Sequence, residues 1–303
     1  MRSREAPRLV FAIGPFTCDL SRAPLALRVA VDALAGFLED EGWAIASHIA
    51  LSTLMSLFPF LILVTALAGF LGSRELADEV GRILLETWPQ QVATPIAAEI
   101  HRVLTTTSGG LLTVGVVLAV YFASSGVESL RIGLNRAYDL EEQRSWWLLR
   151  LESIAYVLVG AIALLALAFL VVLGPLIMAT AIRFAPWLEP FEQFVTFARL
   201  AVTLAVLVFA LVIAHRWLPA GRRRLVEIAP GVAVTIALWL LGGIAFGHYL
   251  AEFASNYVST YAGLASAMIA LIFLYLVASI FIFGGELNQA IRRASACSGE
   301  VDL

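Results

Sequence analysis

Nine polar or ionisable residues lie inside or beside long apolar stretches, where such residues are costly and usually serve binding or pairing. Their hydroxyl, amide, carboxylate and guanidinium groups are donors and acceptors that can hold a polar or anionic ligand. The nine are His48, Ser52, Ser124, Ser125, Glu128, Arg131, Asn135, Glu286 and Asn288. Two interpretations stay open: each lies at a wet helix end, or together they line a polar vestibule that opens to the cytoplasm, with Arg131 and Asn135 at its rim.

No residue spacing in this sequence is typical of a catalytic site. Ser124-Ser125-Gly126 lacks the GxSxG frame of a hydrolase nucleophile, and no glycine-rich phosphate loop occurs. The histidines lie on separate segments without HxH, HxxH or HExxH spacing: His48, His101, His215 and His248. We therefore expect no enzyme activity, no metal and no cofactor.

The composition is that of an integral membrane protein. Of 303 residues, 60% are hydrophobic and only 14% charged, against roughly 25% charged in soluble domains. The net charge of -3 suggests no nucleic-acid partner. Cys18 and Cys297 have no neighbouring Cys or His at a ligand spacing, so neither a disulfide nor a metal site is expected. The apolar run 9–13 is too short for a signal peptide, so insertion relies on the spans.

Six apolar segments are long enough to cross a bilayer, which takes about 20 residues each. We place them at about 44–72, 110–130, 154–182, 195–215, 230–250 and 262–283. Together they predict an all-α polytopic membrane protein with a membrane domain over 25–293. Pro59 and Pro175 predict bends within their spans. Gly243 and Gly247 form a GxxxG pair, which we interpret as a packing contact within the bundle.

Three further segments flank or join the spans. Residues 1–24 are rich in Arg and Pro and predict a tail without ordered structure, and 294–303 form a second tail. Residues 25–38 predict an amphipathic helix, either lying in the membrane interface or packed against the bundle. Residues 73–108 read as two amphipathic helices separated at Pro89, which predicts a periplasmic hairpin.

The arginines predict the orientation, since basic residues are retained on the cytoplasmic side. Fifteen of the twenty lie on one side of the six-span arrangement, four of them in or beside the polar stretch 128–147. Both termini are therefore predicted to be cytoplasmic. The triplet Arg222-Arg223-Arg224 lies on the same side and suits contact with anionic lipid headgroups.

Several of these segments resemble one known family. They are 46–72, 124–147, 218–231, 253–263 and the GGELN sequence at 284–288. In this order they resemble the YihY/BrkB family of bacterial inner-membrane proteins over roughly residues 30–290. Two departures occur: His48 stands where an aromatic residue is expected, and GGELN replaces Gly-Ala-Glu-Leu-Asn.

The resemblance implies a six-helix protein of the bacterial inner membrane without an agreed biochemical activity. The family carries a historical ribonuclease BN label, and some members carry a virulence label. The histidine spacing gives the enzyme label no support.

The expected function is that of a transporter, or of a protein that handles a lipid or amphiphile, with the polar vestibule facing the cytoplasm. The partners would then be the bilayer and an anionic lipid or amphiphilic substrate. The alternative is a membrane scaffold or envelope-integrity protein, and a remote one is a ribonuclease. On the vestibule hypothesis, replacing Glu128 or Glu286 by Ala should reduce function and leave abundance nearly unchanged. Substrate, direction, coupling ion and oligomeric state do not follow from the residues.

Overall fold

Helices carry nearly all of the chain that the computed structural model describes, namely residues 10–13, 16–19, 24–70, 109–184, 192–261 and 265–300. Seven helices lie in these ranges. They are α1 Leu25–Glu39, α2 Gly42–Phe70, α3 Gly109–Ala137, α4 Trp146–Phe184, α5 Glu192–Trp217, α6 Leu225–Tyr261 and α7 Ala265–Glu300.

Five of the described helices contain stretches long and apolar enough to cross a membrane. These are Val117–Ala137, Trp146–Leu167, Gln193–Trp217, Leu225–Glu252 and Ala267–Ala296, while α2 adds the shorter apolar stretch Gly42–Leu57. The all-α polytopic membrane fold is thus confirmed. The count of six spans stays a prediction, and the expected hairpin at 73–108 lies outside the described residues.

A short β-hairpin precedes α1, in a segment expected to have no ordered structure. Strand β1, Val10–Ile13, pairs antiparallel with β2, Phe16–Asp19, so that Val10 lies opposite Asp19. The two strands contain Val, Ile, Phe and Thr, residue types enriched in strands, and Gly-Pro stands between them in the sequence.

The hydrophobic core lies at one end of the bundle, where α2 and α6 begin and where α3 and α5 end. Helix α2 packs along α3, and α7 packs against α1, α2 and α6. Fully or nearly fully buried side chains from five helices meet there: Phe37, Ile49, Leu134, Leu211 and Ile282. By the predicted topology this is the cytoplasmic end.

Helix α1 is packed against the bundle, which decides between the two placements that its sequence left open. Its buried face includes Asp32, whose Oδ2 accepts a hydrogen bond from Arg293 Nη1 of α7 at 3.3 Å. The opposite face exposes leucines by 41–50%: Leu27, Leu34 and Leu38. An apolar outer face is what a helix at the rim of a membrane bundle presents to lipid.

The GxxxG pair has no packing partner among the described residues, which therefore do not confirm that interpretation. A Cβ built on Gly243 or Gly247 meets nothing within 4 Å among the described residues. The close approach lies instead at Gly231 of α6, where a Cβ would collide with the carbonyl oxygen of Gly284 on α7. Spacing alone gives the face on which two glycines lie, but not which face has a partner.

Candidate functional site: a buried polar end and a lateral groove

Glu128 of α3 forms ion pairs with two buried arginines. Its Oε1 lies 3.2 Å from Arg131 Nη2, one turn along the same helix, and its Oε2 lies 2.8 Å from Arg150 Nη1 of α4. Arg131 is 3% exposed and Arg150 is 8% exposed. The Arg131 partner follows from the i, i+3 spacing. Arg150 is a partner that the sequence did not suggest, because it comes from another helix.

The same arginines tie α3 to the start of α4. Arg150 Nη2 donates to the carbonyl of Tyr121 at 2.7 Å, and its guanidinium lies 3.9 Å over the Tyr121 ring. Arg131 Nη1 donates to the carbonyl of Leu149 at 3.2 Å. Ser125 Oγ lies 3.4 Å from Arg150 Nη2. We call Glu128, Arg131 and Arg150 the α3–α4 ion network; its partners are protein groups, which is the arrangement of a structural clamp.

Asn135 joins two loops at the same end of the bundle. Its Nδ2 donates to Glu142 Oε2 at 3.1 Å, and its Oδ1 accepts from the backbone amide of Ala220 at 2.7 Å. Arg144 then bonds Glu142 at 2.8 Å and the carbonyl of Leu218 at 3.1 Å. The hydrogen bond from Arg144 is the main reason that the pKa of Glu142 falls to about 2. Asn135 thus positions the backbone at Ala220. The hydrogen bond from Arg144 keeps the Glu142 carboxylate ionised.

A second buried group of polar side chains, which we call the Tyr138 cluster, consists of Tyr138, His215 and Asn288. Asn288 of α7 accepts from the Gly231 amide at 2.7 Å and donates to Tyr138 Oη at 3.0 Å. Tyr138 Oη lies 2.8 Å from His215 Nδ1 of α5. Because Tyr138 Oη accepts a hydrogen bond from Asn288, its own O–H donates to His215 Nδ1. We therefore assign the proton of the neutral His215 ring to Nε2. The cluster connects α3, α5, α6 and α7.

Glu286 belongs with the Tyr138 cluster rather than with Glu128. It is 1% exposed, it interacts electrostatically with Tyr138, and a Cβ on Gly36 of α1 would meet its Oε2 at 2.5 Å. Glu128, in contrast, bonds to arginines of α3 and α4. The two carboxylates predicted to share one vestibule therefore have different sets of neighbours.

The remaining predicted residues lie in other surroundings. His48 is exposed and Ser52 is half-buried on α2. Ser124 is fully buried, yet its hydroxyl donates to the carbonyl of Tyr121 one turn back at 2.7 Å and is satisfied within α3. These three residues have no recorded bond to the α3–α4 ion network or to the Tyr138 cluster within the described part of the chain.

A lateral groove of about 400 Å³ runs between α2 and α7, within the roughly 300–1,000 Å³ range of small-molecule sites. Its lining is mostly apolar, with two hydroxyls: Ser47, Ala50, Leu51, Leu271, Ile272 and Tyr275. Trp43 stacks on Tyr275 with ring centroids 6.1 Å apart, and Phe37 of α1 meets Trp43 edge-on at 4.9 Å. No sequence pattern predicted this groove, because it exists only where two distant helices meet.

The basic triplet divides into two environments. Arg222 and Arg224 are exposed, whereas Arg223 is 7% exposed and its guanidinium carbon lies 3.5 Å over the ring of Tyr138. Burial is the main cause that lowers the pKa of Arg223. Arg222 and Arg224 are thus open to solvent or to a membrane surface, whereas Arg223 packs on Tyr138.

Comparison with known proteins assigns the family. The model of the family described as virulence factor BrkB matches residues 33–300. The chain belongs to the BrkB family. It is also similar to the ribonuclease-like protein YfkH of Bacillus subtilis (strain 168), with 29% identity over 253 residues that cover 84% of this chain and 91% of that protein. No solved structure matches the chain.

Membership in the BrkB family confirms the resemblance seen in the sequence and, with the apolar helices, an integral membrane protein. The name of this relative describes it as ribonuclease-like. In the described part of this BrkB-family chain, no three His, Cys, Asp or Glu residues are grouped so as to hold a metal ion.

Proposed function

We propose that this BrkB-family protein handles a lipid or another amphiphile within the bilayer, with an acyl chain lying in the groove between α2 and α7. The observation that carries the proposal is the groove itself. It is apolar where the lining residues are Leu51, Leu271 and Ile272, and it is partly open to the outside of the bundle. An acyl chain is the ligand that the bilayer supplies in excess at such a site.

The position of Tyr275 supports an amphiphile rather than a simple hydrocarbon. Tyr275 lines the groove and also packs against the buried core. Ser47 adds a second hydroxyl, and Trp43 stacks at the same place, as aromatic residues do at the headgroup level of membranes. A ligand with an apolar tail and a polar head would satisfy both parts of this lining.

We further propose a location, an orientation and a mode of action for the protein. The protein lies in the bacterial inner membrane with both termini in the cytoplasm, and it moves or presents its ligand without cleaving it. The α3–α4 ion network is then the rigid frame against which α2 and α7 act. A scaffold without a ligand is the competing function, and the same network favours it, because its bonds are all internal.

A photoreactive phospholipid tests the proposal. The full-length protein is reconstituted with a diazirine-bearing phosphatidylcholine, irradiated and mapped by mass spectrometry. We expect label to concentrate on peptides around Leu51 and Leu271, and Leu51→Trp, which fills the groove, to lower that label several-fold. Leu241→Trp is the matched control, since Leu241 is 63% exposed on α6 and is not a lining residue of the groove.

Uniform labelling of all lipid-facing peptides, unchanged by Leu51→Trp, would mean ordinary lipid contact and would favour the scaffold. The proposal that the protein is not an enzyme is tested separately, by incubating the purified protein with RNA. Glu128→Gln is the control variant. RNA cleavage that persists through further purification and is lost in that variant would overturn it.

A further inference from the structure

Arg223 differs from the other deeply buried arginines of this structure. Among the described residues, four arginines are less than 9% exposed: Arg131, Arg150, Arg223 and Arg293. The other three each have a carboxylate partner, which is Glu128 for two of them and Asp32 for the third. Buried charges are ordinarily paired in this way, because an isolated charge loses its hydration without compensation.

Arg223 has no carboxylate partner and no hydrogen bond in the described part of the chain. Its guanidinium carbon lies 3.5 Å from the centroid of the Tyr138 ring, and Nη1 is buried without any hydrogen-bond acceptor there. A cation–π contact stabilises the charge of the guanidinium but gives its N–H donors no acceptor.

The charges around Arg223 do not neutralise it. Arg292 of α7 is close enough to lower the pKa of Arg223 further, although burial has the larger effect. Glu227 acts in the opposite direction, but its Oε2 accepts the backbone amide of Arg224 at 3.2 Å and so caps the first turn of α6. Helix α6 begins at Leu225, which adds the positive end of its dipole beside Arg223.

We propose that Arg223 binds a phosphate group supplied by a molecule outside this chain. The planar fork of N–H donors fits two phosphate oxygens, and Arg292, Arg222 and Arg224 add positive potential around it. The phosphate belongs either to an anionic lipid headgroup or to a soluble phosphate compound. This site is separate from the α2–α7 groove, so it stands even if the chain handles no lipid.

The test measures phosphate binding by the full-length protein in detergent at constant salt. Native mass spectrometry follows retention of phosphatidylglycerol against phosphatidylcholine, and calorimetry follows inorganic phosphate. We expect saturable binding that Arg223→Gln weakens on the order of tenfold or more, as for loss of a buried charged contact. Arg222→Gln, one residue away and exposed, should weaken it less than about threefold, as for a screened surface charge.

The outcomes separate the sources and can overturn the site. Binding of phosphatidylglycerol that inorganic phosphate does not displace identifies a lipid headgroup, and displacement identifies a soluble phosphate. Equal losses in Arg223→Gln and Arg222→Gln would reduce the site to general surface charge and overturn it. Wild-type protein that binds neither ligand saturably overturns it as well, even if Arg223→Gln does not fold. Leu51→Trp, which fills the groove, should leave phosphate binding unchanged. The test of the phosphate site is therefore independent of the test of the groove.

Discussion

Gly231 and Asn288 join α6 to α7, because the Gly231 amide donates to Asn288 Oδ1 at 2.7 Å. A buried Asn would otherwise lose its hydration, and here both ends of its amide are satisfied, since Nδ2 donates to Tyr138 Oη. One side chain therefore joins three helices at the buried end of the bundle. The stability of that end should depend on the absence of a side chain at residue 231.

Gly231→Ala should lower the stability of the folded protein by roughly 1–3 kcal/mol, as overpacking of a tight contact does. A Cβ at this position would collide with the carbonyl of Gly284 and with the Asn288 amide. The thermal midpoint of the purified protein, followed by fluorescence-detected size exclusion, measures the loss.

Gly247→Ala is the matched control, because a Cβ there meets nothing within 4 Å among the described residues. It should leave the midpoint unchanged. If Gly247→Ala were as damaging as Gly231→Ala, the exposed GxxxG face would have a partner in the assembled protein.

Tyr138→Phe should destabilise the protein by about 1–3 kcal/mol, the cost of leaving buried polar groups without partners. The change removes only the hydroxyl, yet it leaves both Asn288 Nδ2 and His215 Nδ1 without the bonds recorded here. The thermal midpoint again measures the effect. An unchanged midpoint in Tyr138→Phe would contradict the role of the cluster.

Glu128→Ala should destabilise the folded protein by roughly 3–5 kcal/mol, since it leaves two buried guanidinium groups without their carboxylate. Both abundance and function should therefore fall. This revises the expectation of unchanged abundance, which treated Glu128 as a vestibule residue with one partner. Glu141→Ala, an exposed change in the nearby loop, is the control. Normal expression and melting of Glu128→Ala would show that the network contributes little.

Low pH should remove the contribution that the ionised Glu142 carboxylate makes to the stability of the folded protein. Its pKa falls from 4.5 to about 2 in the folded protein, chiefly through the hydrogen bond from Arg144. A lowered folded pKa means that the ionised form favours folding above pH 4.5 and that this gain is lost as the pH falls toward 2. The melting difference between wild type and Glu142→Gln should therefore narrow over that interval. A difference that stays constant with pH would contradict the assignment.

Reporter fusions test the orientation. A reporter after Arg292 should read cytoplasmic, and one inserted near Gln90, which lies outside the described residues, should read periplasmic. The reason is the distribution of fifteen arginines against five. A periplasmic signal from the C-terminal fusion would reverse the whole arrangement.

The membrane class, the helical fold and the family followed from the sequence, because each depends on composition or local order. The apolar stretches fix where helices cross, and Glu128 and Arg131 are paired by helical spacing alone. The amphipathic pattern of α1 likewise predicted a helix. It did not predict whether that helix packs against the bundle or lies in the membrane interface.

Tertiary structure decided which residues become neighbours. Arg150 joins Glu128, and Asn288 joins Gly231 across 57 residues, only through the packing of separate helices. The same packing makes Ser47 and Tyr275 line one groove. The same packing turned Arg223 inward while its two neighbours stayed exposed. A sequence gives each helix its faces, whereas burial depends on which helix covers each face, and that is a property of the assembled bundle.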